Sequence, residues 1–129
     1  MAGRTTITAP GAPTVMGPYC HAVKAQGLLW CAGQLPLDPV SGDLVTGDAA
    51  AQALQCLRNL EAVCEAAGTA LSDAVRVTVY LTDMEQFSAV NEAYAQVFAD
   101  DPPARVAVGV AALPRGAEVE IDAVVALPA

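Results

Sequence analysis

The segment between Asp48 and Gly68 most constrains what this chain can fold into, because its apolar residues recur at the helical spacing of three and four. The recurring residues are Ala53, Leu57, Leu60, Cys64 and Ala67. Asp48 is a suitable N-cap for a helix, and Gly68 stands where a left-handed residue commonly ends one. The pattern therefore predicts a helix with one apolar stripe.

Strands are predicted on both sides of this helix. Leu28 to Cys31 is a short apolar run between glycines, which indicates a buried strand, and a strand over Tyr19 to Ala25 is predicted to precede it. From Val75 to Leu81, apolar residues alternate with polar ones, which is the period of a strand. A second helix is predicted between Asp83, its N-cap, and Pro102.

A further strand is predicted to begin at Arg105, with Arg105, Ala107 and Gly109 on one face. The segment from Val119 to Ala123 alternates apolar and acidic residues and is predicted to form a hairpin with that strand. The resulting order, β-β-β-α-β-α-β-β, predicts an α+β fold with a mixed sheet and two helices on one face. At 129 residues the chain has the size of a single domain, residues 1–129.

The charge balance limits the partners of the protein. The net charge is −8 and the six basic residues are scattered singly, so nucleic acid is not an expected partner. Charged residues make up 16% of the chain, below the roughly 25% typical of soluble domains. We therefore expect partner subunits to cover part of the surface, including the sheet face that the helices leave open.

The cysteines give no sign of a metal site. Cys20, Cys31, Cys56 and Cys64 lack the spacing of zinc ligands, so no metal or cofactor is expected, and free thiols fit a reducing compartment. Cys64 is expected to be a buried small hydrophobe. No apolar run is long enough for a membrane span, and the N-terminus lacks the apolar core of a secretory signal. A cytoplasmic protein with no membrane partner is expected.

Two polar residues occupy positions that packing alone does not explain. Asn91 lies on the apolar stripe of the second predicted helix, where a buried amide must either bond a loop backbone or serve a site. Arg105 follows a stiff Pro-Pro-Ala segment and has small neighbours on its strand face. Its planar guanidinium matches a carboxylate, although an ion pair with Asp100 or Asp101 is an equal alternative.

Three carboxylates, Glu118, Glu120 and Asp122, are predicted to share one strand face. Because like charges on one face repel, at least one of them needs a cationic or hydrogen-bonding partner. His21 is the only histidine, and no serine-histidine-aspartate order or phosphate loop is present. The residues by themselves predict an oligomeric α+β domain with an arginine-centred anion pocket.

Several motifs resemble the Rid (YjgF) family of enamine and imine deaminases. They are GPYCHAV, AGQLPLDPVSGDLV, NLEAVCEAAG, VRVTVYLTDMEQFSAVNEAYAQVF, PPARVAV and LPRGAEVEIDAV, in order and over nearly the whole chain. The resemblance implies a chorismate-mutase-like α+β fold and a homotrimer with active clefts between neighbouring subunits. It also implies hydrolysis of 2-aminoacrylate-like enamines and 2-imino acids to 2-keto acids and ammonia.

The resemblance implies roles for individual residues. Arg105 of the PAR triplet would bind the substrate carboxylate and hold the reacting carbon at a fixed distance from Glu120. Glu120 of the VEID segment would orient or activate water. Tyr19 of GPY and Asn91 of VNEAY would line the cleft.

The chain departs from the family pattern at five positions near the expected cleft. Ala32 replaces a usual serine, His21 a glutamine, Val106 a serine and Ala107 a cysteine, and Gly109 stands where many members have a glutamate. Ala32, His21 and Ala107 are expected to contact the substrate. Substitutions there are expected to alter substrate choice, because the lost hydroxyl and thiol groups remove possible contacts.

Three other functions are open at this point. A non-catalytic module would bind small 2-keto or amino acids in the same clefts. An endoribonuclease, an activity ascribed to some relatives, is disfavoured by the charge of −8. A chaperone of the holdase kind has no positive sign in the sequence.

Overall fold

Six strands and two helices make up residues 3–129, the part of the chain that a computed structural model describes. The strands are β1 (Arg4–Ile7), β2 (Ala22–Ala25), β3 (Leu28–Gln34), β4 (Ala74–Leu81), β5 (Ala104–Gly109) and β6 (Val119–Ala126). The helices are α1 (Ala49–Ala67) and α2 (Phe87–Val97), short 3₁₀ segments lie at Leu71–Asp73 and Met84–Gln86, and a tight turn lies at Pro114–Gly116. This order confirms the predicted β-β-β-α-β-α-β-β succession and the α+β class.

The strands form one mixed sheet in the order β1-β2-β3-β6-β4-β5. β6 pairs antiparallel with both β3 and β4, whereas β4 and β5 are parallel and are connected through α2. The predicted hairpin between β5 and β6 is therefore wrong. The connection from Val110 to Glu118 is far longer than a hairpin turn, and it carries the chain past β4 to the gap beside β3.

Both predicted caps of α1 are confirmed. The Asp48 carboxylate accepts a hydrogen bond from the Ala51 amide at 3.0 Å, and Gly68 ends the helix with φ of 83°. The strand predicted to begin at Tyr19 begins only at Ala22. Residues 17–21 turn instead, and the Tyr19 amide donates to the carbonyl oxygen of residue 17 at 2.9 Å.

The core lies between the sheet and the helices. Its fully buried side chains include Leu29, Leu57, Leu60, Val63, Cys64, Val77, Val79, Leu81, Val119, Ile121 and Val125. Every second residue of β4 and β6 enters this core, and the others face the opposite side of the sheet. On that open face Trp30 and Val108 are 46% and 38% exposed. Neither helix described between residues 3 and 129 is long and apolar enough to cross a membrane.

Asn59 connects α1 to the loop over residues 34–47. Its side chain is buried, and its amide nitrogen donates to the carbonyl oxygens of Leu35 and Leu37 at 3.1 and 2.9 Å. Its own oxygen accepts a hydrogen bond from Gln55 at 2.9 Å. Because Leu35 and Leu37 line a surface cavity, this one amide sets the position of a cavity wall.

Asn59→Ala should lower the free energy of unfolding by about 2–3 kcal/mol, because two carbonyl oxygens lose their donor. Urea unfolding at one fixed protein concentration measures the change. Arg58→Ala, on the exposed side of the same helix, is the matched control and should cost less than about 0.5 kcal/mol. Equal losses in the two variants would contradict the role given to Asn59.

Candidate functional site

A cavity of about 410 Å³ lies where the loop over residues 9–18, the loop over residues 34–47 and the start of β6 meet. Tyr19, His21 and Glu120 line it, so the fold brings three of the predicted site residues together. The other walls are mainly apolar, with one cation, and include Pro13, Met16, Leu35, Leu37, Pro114 and Arg115. The two loops, residues 9–18 and 34–47, are both rich in proline and glycine, and both contribute to this cavity.

Glu120 reaches the cavity from the central strand of the sheet. It points away from the core and stands opposite Tyr80 in the register of β4 and β6. Burial, followed by the negative charge of Asp122, raises the pKa of its carboxyl above the ordinary value. Gly33 of β3 leaves the necessary room, because a Cβ atom at position 33 would overlap the Glu120 carboxylate. A carboxyl with a raised pKa in a cavity is suited to proton exchange closer to neutral pH.

The three carboxylates predicted to share a strand face have different surroundings. Glu118 precedes β6 and accepts a hydrogen bond from the Gln52 side chain at 3.2 Å. Asp122 accepts one from the Tyr80 hydroxyl at 2.8 Å, and this bond raises the pKa of Tyr80. The prediction that at least one carboxylate has a partner is confirmed. Glu120 is the one of the three that lines the cavity.

His21 is held by backbone groups on both sides of its ring. Its side chain is 4% exposed, Nδ1 accepts a hydrogen bond from the Ala9 amide at 2.9 Å, and Nε2 lies 2.8 Å from the Pro13 carbonyl oxygen. Because a carbonyl can only accept, the proton must be on Nε2. Both ring nitrogens are therefore in use. His21 thereby anchors the loop over residues 9–18, which forms part of the cavity wall.

Arg105 lies outside this cavity, between the edge strand β5 and α2. Its Nη1 donates to Oδ1 of Asn91 at 2.7 Å, and its guanidinium carbon lies 4.8 Å from the ring centroid of Tyr94 and 5.5 Å from that of Phe87. The two rings attract the cation, and the hydrogen bond orients it. The expectation of a buried Asn91 is wrong: the residue is exposed, because α2 turns it towards β5 and not into the core.

The contact of Phe87 and Tyr94 with Arg105 is not evident from the sequence pattern, which assigns both aromatic residues to the apolar face of α2. Phe87, Asn91 and Tyr94 are spaced by four and three residues, so all three lie on one helix face. An amide between two aromatic residues at this spacing is the signal that could have indicated the site. Tyr94 is 6% exposed, and its hydroxyl has no hydrogen-bond partner among the described residues.

The predicted site residues fall into two groups on opposite faces of the sheet. Arg105 stands opposite the buried Val77 and, like Ala107, points to the helix-covered face. Glu120 points to the open face. Ala32, half-buried in β3, is not among the residues that line the cavity. A single chain therefore does not bring Arg105 and Glu120 to one substrate.

The buried thiols are poorly suited to nucleophilic chemistry. A hydrogen bond with Cys31, followed by burial, raises the pKa of Cys64, and burial raises the pKa of Cys56. Thiols held in their neutral form are weak nucleophiles. The predicted burial of Cys64 is confirmed. Within residues 3–129, no three His, Cys, Asp or Glu side chains are grouped to hold a metal ion.

Known proteins are similar to this chain in sequence and in fold. Residues 9–127 match the family described as Endoribonuclease L-PSP. The chain is 45% identical to the 2-iminobutanoate/2-iminopropanoate deaminase of Mus musculus, over 94% of the chain and 90% of that protein. The crystal structure of RidA from an Antarctic Psychrobacter is 41% identical with a TM-score of 0.91, over 95% and 99% of the two chains. E. coli TdcF with bound serine is 33% identical with a TM-score of 0.90, over 96% and 99%.

These similarities extend over the sheet, both helices and the loops that line the cavity. The fold is that of the Rid-type α+β proteins, two helices on a mixed six-stranded sheet. The chain belongs to the Endoribonuclease L-PSP family, the Rid (YjgF) family that its motifs predicted.

Asp122→Asn should lower the pKa of the Glu120 carboxyl towards its ordinary value, because a neighbouring negative charge is removed while burial remains. Carbon NMR titration of the Glu120 side chain measures the change. Asp38→Asn, in an exposed turn, also removes one negative charge and should leave the Glu120 pKa unchanged. A Glu120 pKa that rises in Asp122→Asn, or moves equally in both variants, would contradict this account.

Proposed function

We propose that this protein hydrolyses reactive enamines and imines of 2-amino acids to 2-keto acids and ammonia, in clefts between copies of the chain. The setting of Arg105 carries the proposal. Its exposed guanidinium rests on two aromatic rings, and its hydrogen bond within residues 3–129 goes to the neutral Asn91 amide and not to Asp100 or Asp101. The positive charge is thus available to an anionic ligand.

A carboxylate fits this arrangement because a guanidinium can donate two parallel hydrogen bonds to its two oxygens. The aromatic rings of Phe87 and Tyr94 contact the guanidinium without supplying a negative charge. The side chain is therefore held in place before the ligand arrives, which reduces the entropy lost on binding. Arg105 would bind the carboxylate that all 2-imino acids share.

Glu120 would carry the proton transfers. An enamine first tautomerises to the imine, and a water oxygen then bonds to the imine carbon while Glu120 accepts a proton from that water. Glu120 passes this proton to the nitrogen, which gives an amino alcohol. Glu120 then moves the hydroxyl proton to the amino nitrogen, so that the carbon–nitrogen bond breaks, ammonia leaves and the keto group forms. Tyr19, which is 54% exposed on the cavity wall, would contact the substrate.

Two copies of the chain are needed to unite these groups, because one sheet holds Arg105 and Glu120 on opposite faces. We propose a homotrimer in which Arg105 of one copy faces the Glu120 cavity of the next. The exposed Trp30 and Val108 on the open face, together with the low share of charged residues, favour burial of this face by other copies.

The relatives support this reading of the site. The name of the mouse protein describes imine deamination, and serine bound to E. coli TdcF is a small amino acid with the same carboxylate. The family description also names an endoribonuclease. RNA binding is disfavoured here by the net charge of −8. A binding module for 2-keto acids remains the alternative, and turnover measurements separate it from an enzyme.

Arg105→Ala should lower kcat/KM for imine hydrolysis at least about tenfold, since a charge-assisted contact contributes about 1.5–3 kcal/mol. Arg105→Lys should recover little, because an ammonium lacks the planar pair of donors. Glu120→Gln should lower kcat and leave the affinity for a 2-keto acid nearly unchanged. Imines produced by an amino-acid oxidase, with ammonia release and calorimetry as readouts, test all three variants. Parent-like binding and turnover by Arg105→Ala would refute the site.

Mixed assemblies test whether Arg105 and Glu120 act from different copies. Arg105→Ala and Glu120→Gln chains, each weakly active alone, should regain about a quarter of the parent activity when refolded together in equal amounts. Random mixing gives one cleft in about four an intact Arg105 from one chain and an intact Glu120 from another. Parent chain and each variant refolded alone are the controls.

Native mass spectrometry of the refolded mixture shows whether the two variants share assemblies. Mixed trimers without recovered activity would contradict a cleft formed by two copies. A stable monomer at micromolar concentration, measured by sedimentation, would contradict the trimer itself.

A further inference from the structure

Arg115 occupies a turn position that is unfavourable for an arginine backbone. The Ala117 amide donates to the Pro114 carbonyl oxygen at 3.2 Å, and the two residues between them, Arg115 and Gly116, have φ of 64° and 71°. These are the conformations of a type I′ turn, whose first central position favours asparagine, aspartate or glycine. Local strain of this kind is commonly retained where the side chain serves a function.

The Arg115 side chain forms part of the wall of the cavity that Tyr19 and Glu120 also line. It borders a second cavity of about 480 Å³ as well, so it stands between the two. Arg115 is exposed, and the hydrogen bond that it makes within residues 3–129 is a long one, 3.3 Å from Nη2 to the Gly42 carbonyl oxygen. A guanidinium has five N–H donors, so most of its hydrogen-bonding capacity remains for a ligand.

We propose that Arg115 binds a second acidic group at the far end of the substrate, so that the favoured imines are those of dicarboxylic amino acids. This inference rests on the proposed function. Arg105 of a neighbouring copy would bind the α-carboxylate, and Glu120 would stand at the imine carbon. The methylene groups between the two carboxylates would contact the apolar wall to which Leu35 and Pro114 belong.

An imine with a branched apolar side chain is the rival ligand for the same wall. The cation at the end of this wall favours the acidic group, because an apolar group packed on Arg115 would remove water from the guanidinium without replacing its hydrogen bonds.

Arg115→Asn separates a role in binding from a role in folding. Asparagine suits the left-handed position better than arginine, so the variant should melt at a higher temperature than the parent. It should also lower, at least about tenfold, the ratio of kcat/KM for the acidic imine to kcat/KM for the neutral one. Arg115→Lys should retain part of this ratio through its charge. Arg58→Asn, on the exposed side of α1, makes the same change in net charge and should leave the ratio unaltered.

The acidic imines are produced from aspartate and glutamate, and the neutral one from 2-aminobutyrate, by an amino-acid oxidase. A parent that prefers the acidic imines and an Arg115→Asn variant that loses the preference support the inference. A parent that prefers the neutral imine, or a ratio unchanged in Arg115→Asn, overturns it.

Failure of the proposed function is recognised separately. If the parent hydrolyses none of the imines, calorimetry with 2-oxoglutarate and 2-oxobutanoate still measures the two affinities. A ratio of these affinities that falls in Arg115→Asn but not in Arg58→Asn would support the role of Arg115 in a binding module. An unchanged ratio would overturn it.

Discussion

The pairing of β6 on both of its edges is the constraint on which the rest of the structure depends. Because β3 and β4 both hydrogen-bond to it, each β6 side chain must face either the core or the open side of the sheet. A shift of one residue would place Glu120 in the core and expose Ile121. The observed register buries Val119 and Ile121 and directs Glu120 over Gly33, where the missing Cβ leaves room for the carboxylate.

The same sheet keeps the two charged groups of the proposed site apart. Arg105 faces the side covered by α2, whereas Glu120 faces the open side, and a strand lies between β5 and β6. Under the proposed mechanism, activity is coupled to assembly. Any change that weakens association would then reduce turnover even if neither residue were altered. Under this proposal, two copies are needed because the side chains of a strand alternate between the two faces of the sheet.

The side chains of the candidate site are held in place by contacts with uncharged groups. Each cation–π contact contributes about 0.5–1 kcal/mol at an exposed position, so Phe87 and Tyr94 stabilise the Arg105 side chain without neutralising it. His21 acts in a comparable way on the loop over residues 9–18, because its ring bonds two backbone groups of that loop. These contacts place the groups of the site while leaving the charge of Arg105 free.

The sequence by itself determined the helices and strands, because these depend on residues that are neighbours in the chain. Examples are the helix caps at Asp48 and Gly68, the alternation of apolar and polar residues in β4, and the arginine at the start of β5. The motifs also determined the family and therefore the class of fold. Only the tertiary structure decided that β6 enters between β3 and β4, and that Asn91 faces Arg105. Periodicity reports which face of one element is apolar, but the neighbours of that element are selected by packing between residues far apart in the chain.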